Sequence, residues 1–86
     1  MNAKELKKVY LEIEELLAED EDNKISLVAI KHLQDYIEEN KNSLTRPDVS
    51  TCFNYPCLMW MDTKRNVVLK VFYEDGAVIN ADSSFE

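Results

Sequence analysis

The chain has 86 residues, of which 45% are apolar and 31% charged, with one Gly and two Pro. That length holds a single small domain spanning 1–86. The apolar share excludes disorder, and the scarcity of Gly and Pro excludes collagen-like, low-complexity and many-turned sandwich chains. Ten basic against seventeen acidic side chains leave a net charge of −7. Such a balance argues against nucleic acid or an anionic membrane as direct partners and favours another protein with a basic surface.

Leu6, Val9, Tyr10, Ile13, Leu16 and Leu17 recur at i, i+3, i+4 and i+7 and predict a helix over about 4–19. Asp20 would enter the middle of that apolar arc, so the helix has to stop before it. Asp22-Asn23-Lys24 then supplies cap residues for a second helix over about 24–40, starting near Lys24 or Ser26. Ile30, Leu33 and Ile37 lie in line on it, with Leu27 and Tyr36 on the flanks. The short link between them predicts an antiparallel helical hairpin. From 43 to 56 the periodicity is lost among Ser, Thr, Asp, Asn, Pro47 and Pro56, which reads as a long loop of a kind that carries function or moves.

The remaining residues predict strands over about 57–62, 67–73 and 77–81, with Asp75-Gly76 as a two-residue hairpin turn. The expected fold class is α+β, an N-terminal antiparallel helical hairpin packed on one face of a C-terminal three-stranded antiparallel meander. An even turn after Asp62 pairs Trp60 with Leu69, and the Asp75-Gly76 turn pairs Tyr73 with Val78. One face then carries Leu58, Trp60, Val67, Leu69, Val71, Tyr73 and Val78. The other carries Cys57, Met59, Met61, Val68, Phe72, Ala77 and Ile79, interrupted by Lys70. Both faces are apolar, whereas a sheet with one wet side alternates. Two helices cover one face of such a sheet. The Trp60 face is the expected core, which leaves Met59, Met61, Val68, Phe72 and Ile79 as a face for a partner or a homodimer, unless Phe53, Tyr55 or Phe85 folds over it.

Charge and chemistry complete the reading. From Glu12 to Asp22 there are seven acids and no base, equal to the whole net charge. Runs of this kind are ordinarily solvated faces, but these acids gather at a helix C-terminus, where the dipole disfavours them. Glu12, Glu15, Glu19, Asp20, Glu21 and Asp22 are therefore candidate partner-binding residues. His32 is the lone histidine, predicted on the exposed side of its helix. Cys52 and Cys57 are too few for a disulfide scaffold or, with one distant His, for zinc. No leader or membrane-length apolar run is read in the chain, so a cytoplasmic protein with both thiols reduced is expected. Phosphate-cradling, nucleophile-elbow and zinc-protease motifs do not occur. The expectation is no catalytic residue, no cofactor and no metal, and hence a small acidic non-enzymatic protein-binding inhibitor or regulator, of the immunity-protein or phage anti-defence type. The alternatives are a DNA mimic, whose acids follow phosphate spacing, and a self-associating structural subunit.

Overall fold

The computed structural model describes residues 1–76 and 78–81, the last four as backbone only. In chain order they form α1 (Ala3–Glu19), α2 (Leu27–Asn40), β1 (Asp48–Cys52), β2 (Tyr55–Met61), β3 (Val67–Phe72) and β4 (Val78–Ala81). A capping box starts α1: the Asn2 side chain accepts from the Glu5 N–H at 2.8 Å, and the Glu5 carboxylate accepts from the Asn2 N–H at 3.1 Å. The helix ends at Glu19, one residue before Asp20 would break the apolar arc. Ser26 caps α2, its hydroxyl accepting from the Ala29 N–H at 3.3 Å. The Met1 amino group donates to the carbonyls of Lys41 and Leu44 at 2.5 and 2.9 Å. The start of α1 thus meets the end of α2, which makes the expected antiparallel hairpin.

The sheet is antiparallel throughout, in the order β1-β2-β3-β4. Its last three strands are the expected meander. The first corrects the expectation of an unstructured 43–56 segment: residues 48–52 pair with β2 across the two-residue turn Phe53-Asn54. Both turn residues are left-handed, with φ of 50° and 70°, as a type I′ hairpin requires. Asn tolerates that region, whereas a bulky Phe rarely enters it, so the turn carries no recognisable sequence signal.

The other two hairpins have three-residue loops rather than even ones. The Arg65 N–H donates to the Asp62 carbonyl at 3.0 Å, the Asp62 N–H donates to the Asn66 carbonyl at 2.9 Å, and Arg65 has φ 64°. This is a type I turn closed by a left-handed residue. Gly76, with φ 84°, closes the next turn in the same way, its N–H donating to the Tyr73 carbonyl at 3.1 Å. Each odd loop displaces the expected register by one residue. Trp60 pairs with Val68, Met61 with Val67, Phe72 with Val78 and Val71 with Ile79.

A one-residue slip turns every side chain of β3 to the opposite face. Phe72, expected on the open face, is fully buried beneath the helices, and Val68 turns inward with it. Val67, Leu69 and Val71 take the open side instead. Lys70 also lies on the helix side, its Nζ 5.3 Å from the centre of the Tyr36 ring. That ring meets Trp60 at 6.1 Å and the edge of Phe72 at 5.5 Å. In β4 the two slips cancel, and Ile79 pairs with a residue of the open face as expected. The Ile79 side chain lies outside the described residues, as do Ala77 and Phe85. Val9 and Ile13 of α1, Ile30, Leu33 and Ile37 of α2, and Leu58 and Phe72 of the sheet join with Ile25 in one core. The expectation that the Trp60 face is the core face is met, with a different set of β3 residues on it.

Two substitutions check the register. Phe72→Asp, which an open face would tolerate, is expected to leave the chain unfolded by circular dichroism, because an unpaired carboxylate would enter the core. A folded Phe72→Asp protein of native stability would reject this pairing. At the loops, Arg65→Gly is expected to stabilise by about 0.5–1 kcal/mol and Gly76→Ala to destabilise by about the same, measured in urea. A Cβ added at Gly76 meets the His32 ring at 3.5 Å, an ordinary contact. The Gly76→Ala cost is therefore conformational, and effects of the same sign at the two loops would contradict it.

Candidate functional site

The acidic segment divides once its side chains are placed. Glu12 forms an ion pair with Arg46, which also reaches Asp48 at 3.5 Å and so ties α1 to β1. Glu12 and Arg46 are both about one-third exposed, so the pair contributes about 1 kcal/mol at most. Asp20 closes the interhelical loop. Its carboxylate accepts from the Lys24 N–H at 3.0 Å and from the Ile25 N–H at 2.8 Å. These two of the six acids serve the fold. Asp22 lies 3.7 Å from Lys24 with both side chains exposed, and Glu15, Glu19 and Glu21 are exposed.

Against the interhelical loop lies an open depression of ≈ 440 Å³, lined by Leu17, Ile25, Leu27 and Val28 together with Asp20, Asn23 and Ser26. Leu27 is 70% exposed and Val28 55%. The hairpin tip therefore brings acids and apolar side chains together. Leu27 is read from the sequence as a flank of the buried line, and Val28 goes unnoticed. The available signal is that neither falls on the Ile30, Leu33 and Ile37 line.

The open sheet face is the second surface. Met61 is 53% exposed, and Met59 and Val67 are each 43% exposed. Together with Arg46, Asp48 and Trp60 they line a shallow hollow of ≈ 300 Å³. Cys57 and Val71 on the same face are buried. Of the residues expected here, Met59 and Met61 are present, whereas Val68 and Phe72 face the helices. Both helices pack on the opposite side of the sheet. The acidic tip and the apolar face consequently point in different directions and do not make one continuous interface.

Displaced pKa values mark contacts that hold the fold together. Burial, and then the hydrogen bond to Glu38, push the Tyr10 phenol up to about 12. The same Tyr10 hydroxyl, with Lys41 behind it, holds the Glu38 carboxyl below its ordinary value. Asp62 is held low by the N–H groups of Asn66 and Lys64 that it accepts in its turn. His32 is half-buried, its ring beside Gly76, rather than on the exposed side. Among the described residues no group of three or more His, Cys, Asp or Glu is placed to hold a metal ion, and no helix is long and apolar enough to cross a membrane. No family model, curated protein or solved structure matches the chain.

The two kinds of acid are separable by stability. Asp20→Ala is expected to cost about 1–2 kcal/mol in urea unfolding, since two backbone N–H groups lose a charged acceptor. Glu19→Gln, Glu21→Gln and Asp22→Asn should each stay within about 0.5 kcal/mol of the parent or gain slightly, as their charges stand near a helix C-terminus. Similar losses at all four positions would show that the segment acts as one structural unit.

Proposed function

We propose that this chain is a non-enzymatic protein-binding regulator of inhibitor type. It captures a basic, apolar-anchored segment of its partner at the tip of the helical hairpin. One observation carries the reading: Leu27 and Val28 stand exposed on an apolar depression that Asp20 and Asn23 of the interhelical loop also line, with exposed Glu19, Glu21 and Asp22 adjacent in sequence. An apolar anchor in that depression supplies affinity, and the surrounding acids speed encounter and select for positive charge. The net charge of −7 extends the same preference over long range. Mimicry of DNA is supported less, because Glu12 and Asp20 are engaged within the fold and shorten the charge track.

Self-association through the open sheet face is a second reading, favoured by the exposed Met59, Met61 and Val67. Strands about 4.8 Å apart and about 3.3 Å per residue give this face roughly 400 Å². That is half the ~800 Å² per partner typical of a stable complex, so such a dimer would be weak and transient.

The test is an NMR titration of the labelled protein with a short peptide alternating Lys and Leu, and with oligolysine of equal charge. Saturable shifts are expected at Leu17 and from Asn23 to Val28 with the Lys/Leu peptide, with affinity falling as salt rises. Leu27→Asp, at an exposed position, should stay folded and weaken binding by about tenfold or more. Equal binding of oligolysine, or of the peptide to the Leu27→Asp protein, would reduce the effect to unspecific charge and end the reading. Light scattering on the same samples, with Met61→Glu as the control, tests self-association, and a monomer at all concentrations rules it out.

A further inference from the structure

Cys52 and Cys57 are separated by four residues, a spacing that by itself says little, but the Phe53-Asn54 turn folds it into a cross-strand arrangement. Cys52 is the last residue of β1 and pairs with Tyr55, while Cys57 of β2 pairs with Ser50. Both side chains therefore project on the open face, one step apart on neighbouring strands. Their sulfurs are 3.6 Å apart, and neither is bonded to another cysteine. We infer that this pair is a thiol–disulfide exchange site, which low-molecular-weight disulfides of the glutathione class convert into a Cys52–Cys57 bridge.

The two sulfurs have different surroundings, and these assign their roles. Cys52 is partly exposed and can meet a disulfide in solution, whereas Cys57 is 2% exposed and can be reached only by its neighbour. Burial, together with the adjacent Cys52, pushes the Cys57 thiol up to about 12, as expected for a group shielded from solvent. In the first step Cys52, its proton lost to solvent, attacks one sulfur of the small disulfide. A Cys52 mixed disulfide forms and one small thiolate leaves. In the second step the Cys57 sulfur attacks the Cys52 sulfur, the bond from Cys52 to the small thiol breaks, and the Cys57 proton passes to the departing small thiolate. The small disulfide is reduced to two thiols, and the two protein thiols are oxidised to one bridge. Closing from 3.6 Å to a bond of about 2.05 Å asks the sulfurs to approach by about 1.5 Å. The bridge would fasten β1, the sheet's first strand, to β2 immediately beside the tip where Phe53 stands 96% exposed.

The experiment exposes the reduced full chain to oxidised glutathione, quenches by alkylation at intervals and reads intact mass and peptide maps. The expected product has lost two hydrogens and links Cys52 to Cys57. It should form about tenfold faster or more in the folded chain than in the chain unfolded in urea, because the hairpin holds the second sulfur in place. Cys57→Ala should stop at a single glutathione adduct on Cys52, and Cys52→Ser should react about tenfold more slowly or not at all. A glutathione adduct on Cys52 of the parent that persists without bridging would overturn the proposal. So would bridging no faster when folded than unfolded, a comparison that stands even if a cysteine variant fails to fold.

Discussion

Arg65 and Gly76 each close a type I turn in the left-handed region, and the parity of those two loops decides which side of the sheet every residue of β3 occupies. Hydrophobic pattern alone cannot decide it, because both alternations along Val67–Phe72 are apolar. The backbone does. With an odd loop at each end, Phe72 meets Tyr36 and Leu58 joins it in the core, while Val67 and Leu69 are left on the open side. An Arg in that conformation costs about 1 kcal/mol that a Gly would not. Asp62 offsets part of it by accepting from two N–H groups of the loop.

The same parity sends Lys70 to the helix side, which would be expensive for a short charged side chain. Its long stem resolves the problem, laying the methylene groups along the layer and setting the ammonium over the Tyr36 ring. Tyr36 thereby becomes the meeting point of Trp60, Phe72 and Lys70 on three neighbouring positions of β2 and β3. Removal of the charge would leave Tyr36 as an ordinary aromatic neighbour. Reversal of the parity would take Phe72 away from Tyr36 and turn Val67, Leu69 and Val71 towards the helices in its place.

The helices are legible because their apolar arcs are uninterrupted, Asp20 ends the first arc and Ser26 offers a cap for α2, whereas the Asn2–Glu5 capping box that opens α1 emerges only in the structure. β1 is not legible, because Asp48–Cys52 mixes polar residues at an edge and its turn uses Phe53 where Asn or Gly is usual. Asp75-Gly76 misled for a related reason. The dipeptide signals a two-residue turn, but here Gly76 occupies the third position of a three-residue loop. In the candidate site, the density of acids was visible and their division of labour was not. Only three-dimensional placement shows that Glu12 answers Arg46 and that Asp20 holds the loop, or that Leu27 and Val28 stand outside the core.

A single helix layer on a four-stranded sheet leaves a small domain with more apolar surface than it can enclose. The excess is not spread evenly. Among the described residues Met59, Met61 and Val67 expose it on the open sheet face and Leu27 and Val28 at the start of α2, while Leu11 and Phe53 stand exposed singly. The hollow on the open face is lined by the oppositely charged Arg46 and Asp48, whereas the one at α2 has Asp20 and no base in its lining, and affinity with selectivity needs apolar contact and charge in one place. The open face offers contact without an obvious charge preference, which suits a weak or promiscuous encounter. The cysteine pair belongs to that face and not to the hairpin tip. Oxidation would therefore act on the edge hairpin and its surroundings while leaving Leu27, Val28 and the acidic loop as they are, so the two surfaces are separable in chemistry as well as in space.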